Sequence, residues 1–272
     1  MSAAPAPMPS AASVSRTDAF PVNWTRRAAF AALFVYSLYA LSTLEITWDR
    51  FVRGLDQGAK FLARCWPPNF EASKLELLQQ GMIESIQIAV LATAAGVLLS
   101  IPLGLLAARN LMPAAVSWTA RGLIALLRSF HPVIVTILFV KAVGFGALAG
   151  ILGLIVSSMG FISKLLAEAI EEMNLKQVEA VRATGASFWG VLIMSVIPQV
   201  MARFVGFVAY QLDSNLRNST MVGIVGGGGI GATLFTAYQR FDYDFVTTIL
   251  LVIIAIIMVS ELVSTRVRQV FQ

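Results

Sequence analysis

Long apolar runs separated by short polar stretches dominate the chain. The runs cover Ala28 to Leu44, about Met82 to Ala108, Gly122 to Val143, Ala147 to Ser163, Pro198 to Leu216 and Phe245 to Val263. Each approaches or exceeds the roughly 20 residues that a helix needs to cross a bilayer. Their apolarity is continuous rather than alternating, which argues against a β-barrel. The pattern predicts an all-α membrane protein with about six transmembrane helices.

The polar stretches predict the rest of the organisation. Residues 1–25 are rich in Ala, Pro and Ser and lack the apolar segment of a signal peptide, so they read as a disordered cytoplasmic tail. Residues 26–81 hold the first span and a mixed segment containing Trp66-Pro67-Pro68. Phe51, Leu55 and Leu62 in that segment share a helical face, consistent with an amphipathic helix on the outer surface; a plain loop is the alternative. Residues 82–272 hold the remaining spans. Gly96, Pro102 and Gly104 suit close helix packing, and Gly144 with Gly146 suits a tight outer turn. The stretch Lys164 to Trp189 carries Glu168, Glu171, Glu172, Lys176, Glu179 and Arg182 and must lie in water.

Composition sharpens this picture. Of 272 residues, 13% are charged, about half the share of a soluble domain. The net charge of +5 comes from Lys and Arg at span ends. Arg26, Arg27, Arg109, Arg121, Arg266 and Arg268 place both termini and the polar insert in the cytoplasm. No basic stripe with interleaved aromatics is present, so nucleic acid is not an expected partner. Cys65 and His131 are the only residues of their kinds, which leaves no Cys- or His-based metal site. Ser129 is too close in sequence to face His131 on a helix, so no catalytic pair is expected.

The insert has the grammar of two short helices. Leu165, Leu166, Ala169, Ile170 and Met173 form an apolar stripe. Asn174 is placed to N-cap the next helix, with Gln177 three residues on to complete a capping box. Glu179 and Arg182 can pair at i, i+3, and Gly185 suits a left-handed C-cap. Small residues at Ala180, Ala183 and Ala186 would let a soluble partner approach closely; a solvated hairpin without a partner fits the same pattern.

Glu179-Ala180, Gly185 and Pro198 resemble the EAA-type signature of permease subunits of ATP-binding-cassette importers. The match departs at Val181, which replaces the second Ala, at Ser195, and at Ile197 before Pro198. Five further blocks are similar to the phosphonate-importer permease: CWPPNF at 65–70, LSIPLGLLAARN at 99–110, LFVKAVGFGALAGILGL at 138–154, SKLLAEAIEEMN at 163–174 and NLRNSTMVGIVGGGGIG at 215–231. The resemblance covers roughly residues 60 to 270. It implies a type I importer permease fold in the bacterial inner membrane, with residues 164–189 as the coupling segment. Glu179, Ala180, Arg182, Gly185 and Ala186 would then meet the ATPase. The implied partners are an ATPase dimer that binds ATP and Mg, a periplasmic phosphonate-binding protein and a second permease copy, most simply an identical one.

The chain has no G-x-x-x-x-G-K-[ST], so any ATP must be hydrolysed by another subunit. A literal G-x-G-x-x-G runs from Gly226 to Gly231. It lies between spans rather than between a strand and a helix, so a dinucleotide site is not expected. Those glycines either let backbone line a path or simply permit close packing. Charged and polar residues inside spans default to functional hypotheses. Arg217, Asn218, Ser219, Thr220, Gly226, Gly228 and Arg128 are the pathway candidates for a phosphorus oxyanion such as a phosphonate, phosphite or phosphate ester. Lys141 fits snorkelling to the interface better, and His131 beside Pro132 reads as a packed kink. An ATP-independent anion channel or secondary carrier is the rival reading.

Overall fold

The computed structural model describes residues 24–44 and 47–271, and every regular element among them is helical. The expected tail, residues 1–25, lies outside the described residues up to residue 23; Trp24 and Thr25 open the first helix. The chain divides into two units, Met1–Lys60 and Phe61–Gln272.

In the first unit, α1 (Trp24–Thr43) buries no residue, and Phe30, Leu33, Phe34, Leu38 and Leu41 are all exposed. Ser37 donates to the Leu33 carbonyl, and Ser42 and Thr43 donate to that of Tyr39. The polar groups are thus satisfied within the helix, as an apolar surrounding demands. The next helix, α2 (Trp48–Arg64), resolves the choice between helix and loop for its residues. Arg53 pairs with Asp49 and Lys60 with Asp56 at four-residue spacing, which supports a helix. Phe51, Leu55 and Leu62 form its exposed apolar side.

The second unit comprises α3 (Ala72–Ala107), α4 (Ala114–Ser129), α5 (Pro132–Val143), α6 (Ala147–Glu171), α7 (Leu175–Ala183), α8 (Phe188–Val191), α9 (Ile197–Val222), α10 (Gly229–Gln239) and α11 (Tyr243–Phe271). A wide π-helical turn, Leu192–Val196, joins α8 to α9, so that Phe188–Gly227 runs as one 40-residue rod. Pro198 has no N–H to give and its ring crowds the preceding turn. Ile197 instead donates to the Leu192 carbonyl, five residues back. Among the described residues, four helical rods are long and apolar enough to cross a membrane, or six if two bent pairs each count as one span.

Three expectations are corrected. The third span, Gly122 to Val143, is not one helix: α4 and α5 meet at 86° across Phe130 and His131. Pro132 disfavours helical backbone in the residue before it, and here it starts a new helix instead, with His131 as N-cap. The fourth span does not end at Ser163. Leu166, Ala169 and Ile170 are buried against Val191, Leu192 and Val196, so α6 runs to Glu171 and takes in the first eight residues of the supposed insert. The second span begins about ten residues early, because Leu78 and Met82 bury against Ile230, Phe245 and Ile249.

Small residues set the helix spacing. α3 and α6 run in the same direction in close contact. A Cβ at Gly96 would lie 2.5 Å from the Cβ of Ser158, and one at Gly104 would lie 2.9 Å from the Cδ2 of Leu166. A buried polar cluster joins α3, α6 and α9. Asn215 Nδ2 donates to Thr93 Oγ1 (2.9 Å) and Ser158 Oγ (2.8 Å), and Gln211 Nε2 donates to Ser158 Oγ (2.9 Å) and Asn215 Oδ1 (3.0 Å). In an apolar surrounding such groups must find partners in one another.

Candidate functional site

The insert is built on a clamp at the end of α6. Glu171 Oε1 accepts from Arg121 Nη2 (2.5 Å) and from the Arg109 backbone N–H (2.8 Å). Arg121 Nε also donates to the Ala107 carbonyl at 3.0 Å. Asn110 Nδ2 reaches the Ile170 carbonyl at 2.7 Å, and Arg203 pairs with Glu172 at 2.7 Å. One acid thus ties the end of α6 to the middle of α4 and to the chain just past α3. A charge-assisted hydrogen bond of this kind contributes about 1.5–3 kcal/mol before solvent screening of its partly exposed groups.

From this base the chain turns into α7. Asn174 caps it, its Oδ1 accepting from Lys176 N at 3.0 Å. The expected capping box does not close through Gln177: the Asn174 N–H goes to Gln199 Oε1 on α9, 3.0 Å away. Val178 is buried and Val181 half-buried against the bundle, while Glu179, Ala180, Arg182 and Ala183 face outward. Glu179 and Arg182 make no ion pair with each other in this arrangement. Gly185 ends the helix in the left-handed region, φ +78°, and its N–H donates to the Arg182 carbonyl. Ala186 is half-buried, and Ser187 caps α8 through the Gly190 N–H. The five residues expected to meet a partner therefore lie on one short, capped element. Four of the five are exposed.

At the opposite end, the glycine-rich segment breaks the helix between α9 and α10. Gly226 adopts φ +101°, a backbone that residues with a Cβ rarely take. Its carbonyl accepts from the Gly146 N–H at 2.9 Å, which places the segment beside the turn between α5 and α6. A Cβ at Gly150 would stand 2.4 Å from the Gly227 carbonyl oxygen, and one at Gly231 would stand 2.0 Å from that of Thr220. Gly228 sits against Ala147 N and the Glu84 carboxylate, and the Ile230 N–H donates to Ser85 Oγ. Here the glycines serve close packing and a break in the helix.

The polar pathway candidates are scattered. Arg217 pairs with Asp213 on the same helix at 2.8 Å, and the other oxygen of Asp213 accepts from Ser260 on α11. Asn218 donates to Ser214. Ser219 is buried and bonded to the Leu216 carbonyl, and Thr220 is half-buried. Arg128 is elsewhere, at the end of α4, against Gly160 of α6. It lines a cavity of about 330 Å³ at the α4–α5 break, together with Ser129, His131, Ser157 and Phe161. Sequence reasoning missed the Glu171 clamp, Gln199 and the Thr93–Ser158–Gln211–Asn215 cluster. The signal available was polar residues at four-residue spacing within an apolar run, as at 211 and 215.

Comparison with known proteins agrees with this architecture. A family model described as "Binding-protein-dependent transport system inner membrane component" matches residues 100–272. The phosphite transport system permease protein PtxC of Stutzerimonas stutzeri is 34% identical over 258 residues, covering 93% of this chain and 92% of its own length. The phosphate-import permease protein PhnE of Mycolicibacterium smegmatis is 41% identical over 206 residues, 75% of this chain but 38% of that protein. Against that relative, the chain matches well under half the length. Among solved structures, the inward-facing MetNI methionine ABC transporter superposes with TM-score 0.67 at 21% identity, covering 75% of this chain and 100% of that one. An amino acid ABC transporter superposes with TM-score 0.60 at 19% identity, covering 72% and 93%. At such identities these two show the fold, which is that of the type I importer permeases. With a family match over well over half its length, this chain belongs to the inner membrane components of binding-protein-dependent transport systems.

Proposed function

We propose that the chain is the membrane-spanning permease subunit of an ATP-driven importer that moves a phosphorus oxyanion into the cytoplasm by alternating access. The observation that carries this reading is the two-sidedness of α7. Val178 and the Glu171 clamp fix the element to the bundle, while Glu179, Ala180, Arg182 and Gly185 remain open to a partner. An ATPase dimer docks there and holds ATP and Mg, since this chain has no P-loop. The insert end is then cytoplasmic, as are both termini, and the glycine-rich end faces the periplasm in a bacterial inner membrane. Two identical copies form one pathway, and a periplasmic binding protein delivers the ligand. ATP drives the cycle only through a difference in its affinity for the two states.

The ligand class rests on the relatives' names. They refer to phosphate, phosphite and phosphonate, which share a tetrahedral phosphorus oxyanion. The binding protein selects among them, and a weakly cationic path suffices for the permease. Arg217, Asn218, Ser219, Thr220, Gly226, Gly228 and Arg128 are its proposed lining.

The test is uptake of labelled methylphosphonate and phosphite into proteoliposomes holding this chain, its ATPase and its binding protein. ATP-dependent uptake, competed by unlabelled phosphonate or phosphite, is the expected result. Equal uptake without ATP would replace the reading with a channel or secondary carrier.

A further inference from the structure

Arg128 occupies an unusual position. It packs on Gly160 of α6, and its Cγ would lie 3.0 Å from a Cβ placed there. Gly160 is 13 residues from the start of α6 and 11 from its end. At the α-helical rise that is about 20 Å and about 16 Å, respectively. Gly160 lies one helical turn before Lys164 on α6, and the Arg128 side chain is exposed beside it. Among the described residues, Arg128 has no carboxylate within ion-pair distance and no hydrogen-bond partner. An uncompensated cation inside a membrane is costly and marks an ion or substrate path by default.

The cavity at the break adds donors but no acid. The α4–α5 break opens the cavity of about 330 Å³ that Arg128 lines. His131 Nδ1 accepts from the Val133 N–H at 3.3 Å. That leaves Nε2 as the ring nitrogen open to a ligand. Ser157 of α6 lines the same cavity. The first amides of α5 are already bonded to His131, so the positive charge here comes from Arg128 itself. On the other side, Arg128 also lines a second cavity with Lys164 and Arg121, toward the insert end. There the one carboxylate, Glu168, is 3.4 Å from Lys164. Lys164 and Arg121 are each paired there, with Glu168 and Glu171, which leaves Arg128 as the unpaired cation of this cavity.

We infer that the cavity at the α4–α5 break is a transient binding subsite for a tetrahedral oxyanion on the translocation path. Arg128 is its charged donor, His131 Nε2 and Ser157 are its polar walls, and Lys164 is the next cation toward the cytoplasm. This inference rests on the proposed import of phosphorus oxyanions. It assigns the guanidinium the monodentate or forked hydrogen bonds that such anions take from arginine. A solvated stop of this kind must be weak, because conduction requires that the ligand also leave.

The test uses the full complex in proteoliposomes, with labelled phosphite and loaded binding protein outside. ATP-driven uptake and binding-protein-stimulated ATP hydrolysis are read in parallel. Arg128→Gln is expected to lower uptake at least about tenfold, the worth of one charge-assisted hydrogen bond. Stimulated hydrolysis should stay within about twofold, because the docking face is untouched. Arg128→Lys keeps the charge and should restore most of the uptake. Ser157→Phe, which fills the cavity without removing charge, should block uptake in the same way. Arg128→Gln with wild-type uptake would overturn the subsite. So would parallel loss of uptake and hydrolysis in all three variants, which would make Arg128 a structural residue. A wild-type complex that hydrolyses ATP but imports no phosphorus oxyanion would instead bring down the functional reading beneath it.

Discussion

The backbone N–H of Asn174 is held by the side chain of Gln199, 3.0 Å away and 25 residues later in the chain. Gln199 Nε2 in turn donates to the Ser195 carbonyl in the π-helical turn. The start of the insert helix is thereby joined to the foot of the longest rod in the bundle. Gln199→Leu should remove about 1 kcal/mol from this joint. Hydrogen exchange measured by mass spectrometry should show faster exchange over 174–178, with the amides of α6 unchanged.

Gly185→Asp places a side chain and a negative charge on the exposed turn that closes α7. No atom lies within 4 Å of the added Cβ, so the chain should still fold and insert. The left-handed backbone costs a substituted residue about 1 kcal/mol. If the α7 face receives the ATPase, co-purification of that subunit should be lost together with ATP-dependent uptake. Wild-type uptake in this variant would remove the docking assignment.

Glu171→Gln keeps the shape of the clamp and removes its charge. Arg121, whose side chain is about one quarter exposed, then loses its carboxylate while its bond to the Ala107 carbonyl remains. A loss of about 1–2 kcal/mol is expected. It should appear as a lower thermal midpoint in detergent that partly recovers in the Arg121→Met, Glu171→Gln pair.

Asn215→Leu removes three of the four bonds of the cluster in a closed apolar setting and leaves only that of Gln211 to Ser158. Interhelical hydrogen bonds in membranes average about 0.6 kcal/mol each, and unsatisfied groups cost more. The expected loss is about 1–3 kcal/mol. A double-mutant cycle with Thr93→Val should show coupling, because the two side chains touch at 2.9 Å.

Gly150→Ala should destabilise the chain by a similar amount. Its new methyl would sit 2.4 Å from the Gly227 carbonyl oxygen and 3.2 Å from a Val222 methyl. Overpacking of this kind costs about 1–3 kcal/mol. Gly122→Ala on α4, where nothing lies within 4 Å, is the matched control and should leave the thermal midpoint unchanged or raised.

Local signals in the sequence carried much of this structure. Asn174 and Gly185 mark the two ends of α7 because capping and left-handed backbone depend on single residue types. Gly96 and Gly104 likewise announce the α3–α6 contact. Hydropathy alone failed where burial and lipid exposure look alike. Leu166 and Ile170 belong to a buried seam shared with Val191 and Val196, yet glutamates on the opposite face made that stretch read as a separate wet helix. The bend before Pro132 was hidden because both halves are apolar. Arg217, a strong candidate from position alone, proves to be neutralised by Asp213 one turn away, while the less favoured Arg128 lacks any such partner. Partners four residues apart were legible in principle. The meeting of Glu171 with Arg109 and Arg121, more than 40 residues distant, required the fold.

The contact through Gly96 and Gly104 also limits how the bundle can move. The two glycines are eight residues apart, with Ser100 midway. Sliding α3 along α6 by one helical turn, about 5.4 Å, would bring Ser100 to a spot that tolerates only a hydrogen. The pair is therefore geared: it can tilt as one piece but cannot ratchet. Relative motion within the second unit is left to other joints, above all the proline-led break before α5. That break stands beside the geared pair like a hinge on a door frame.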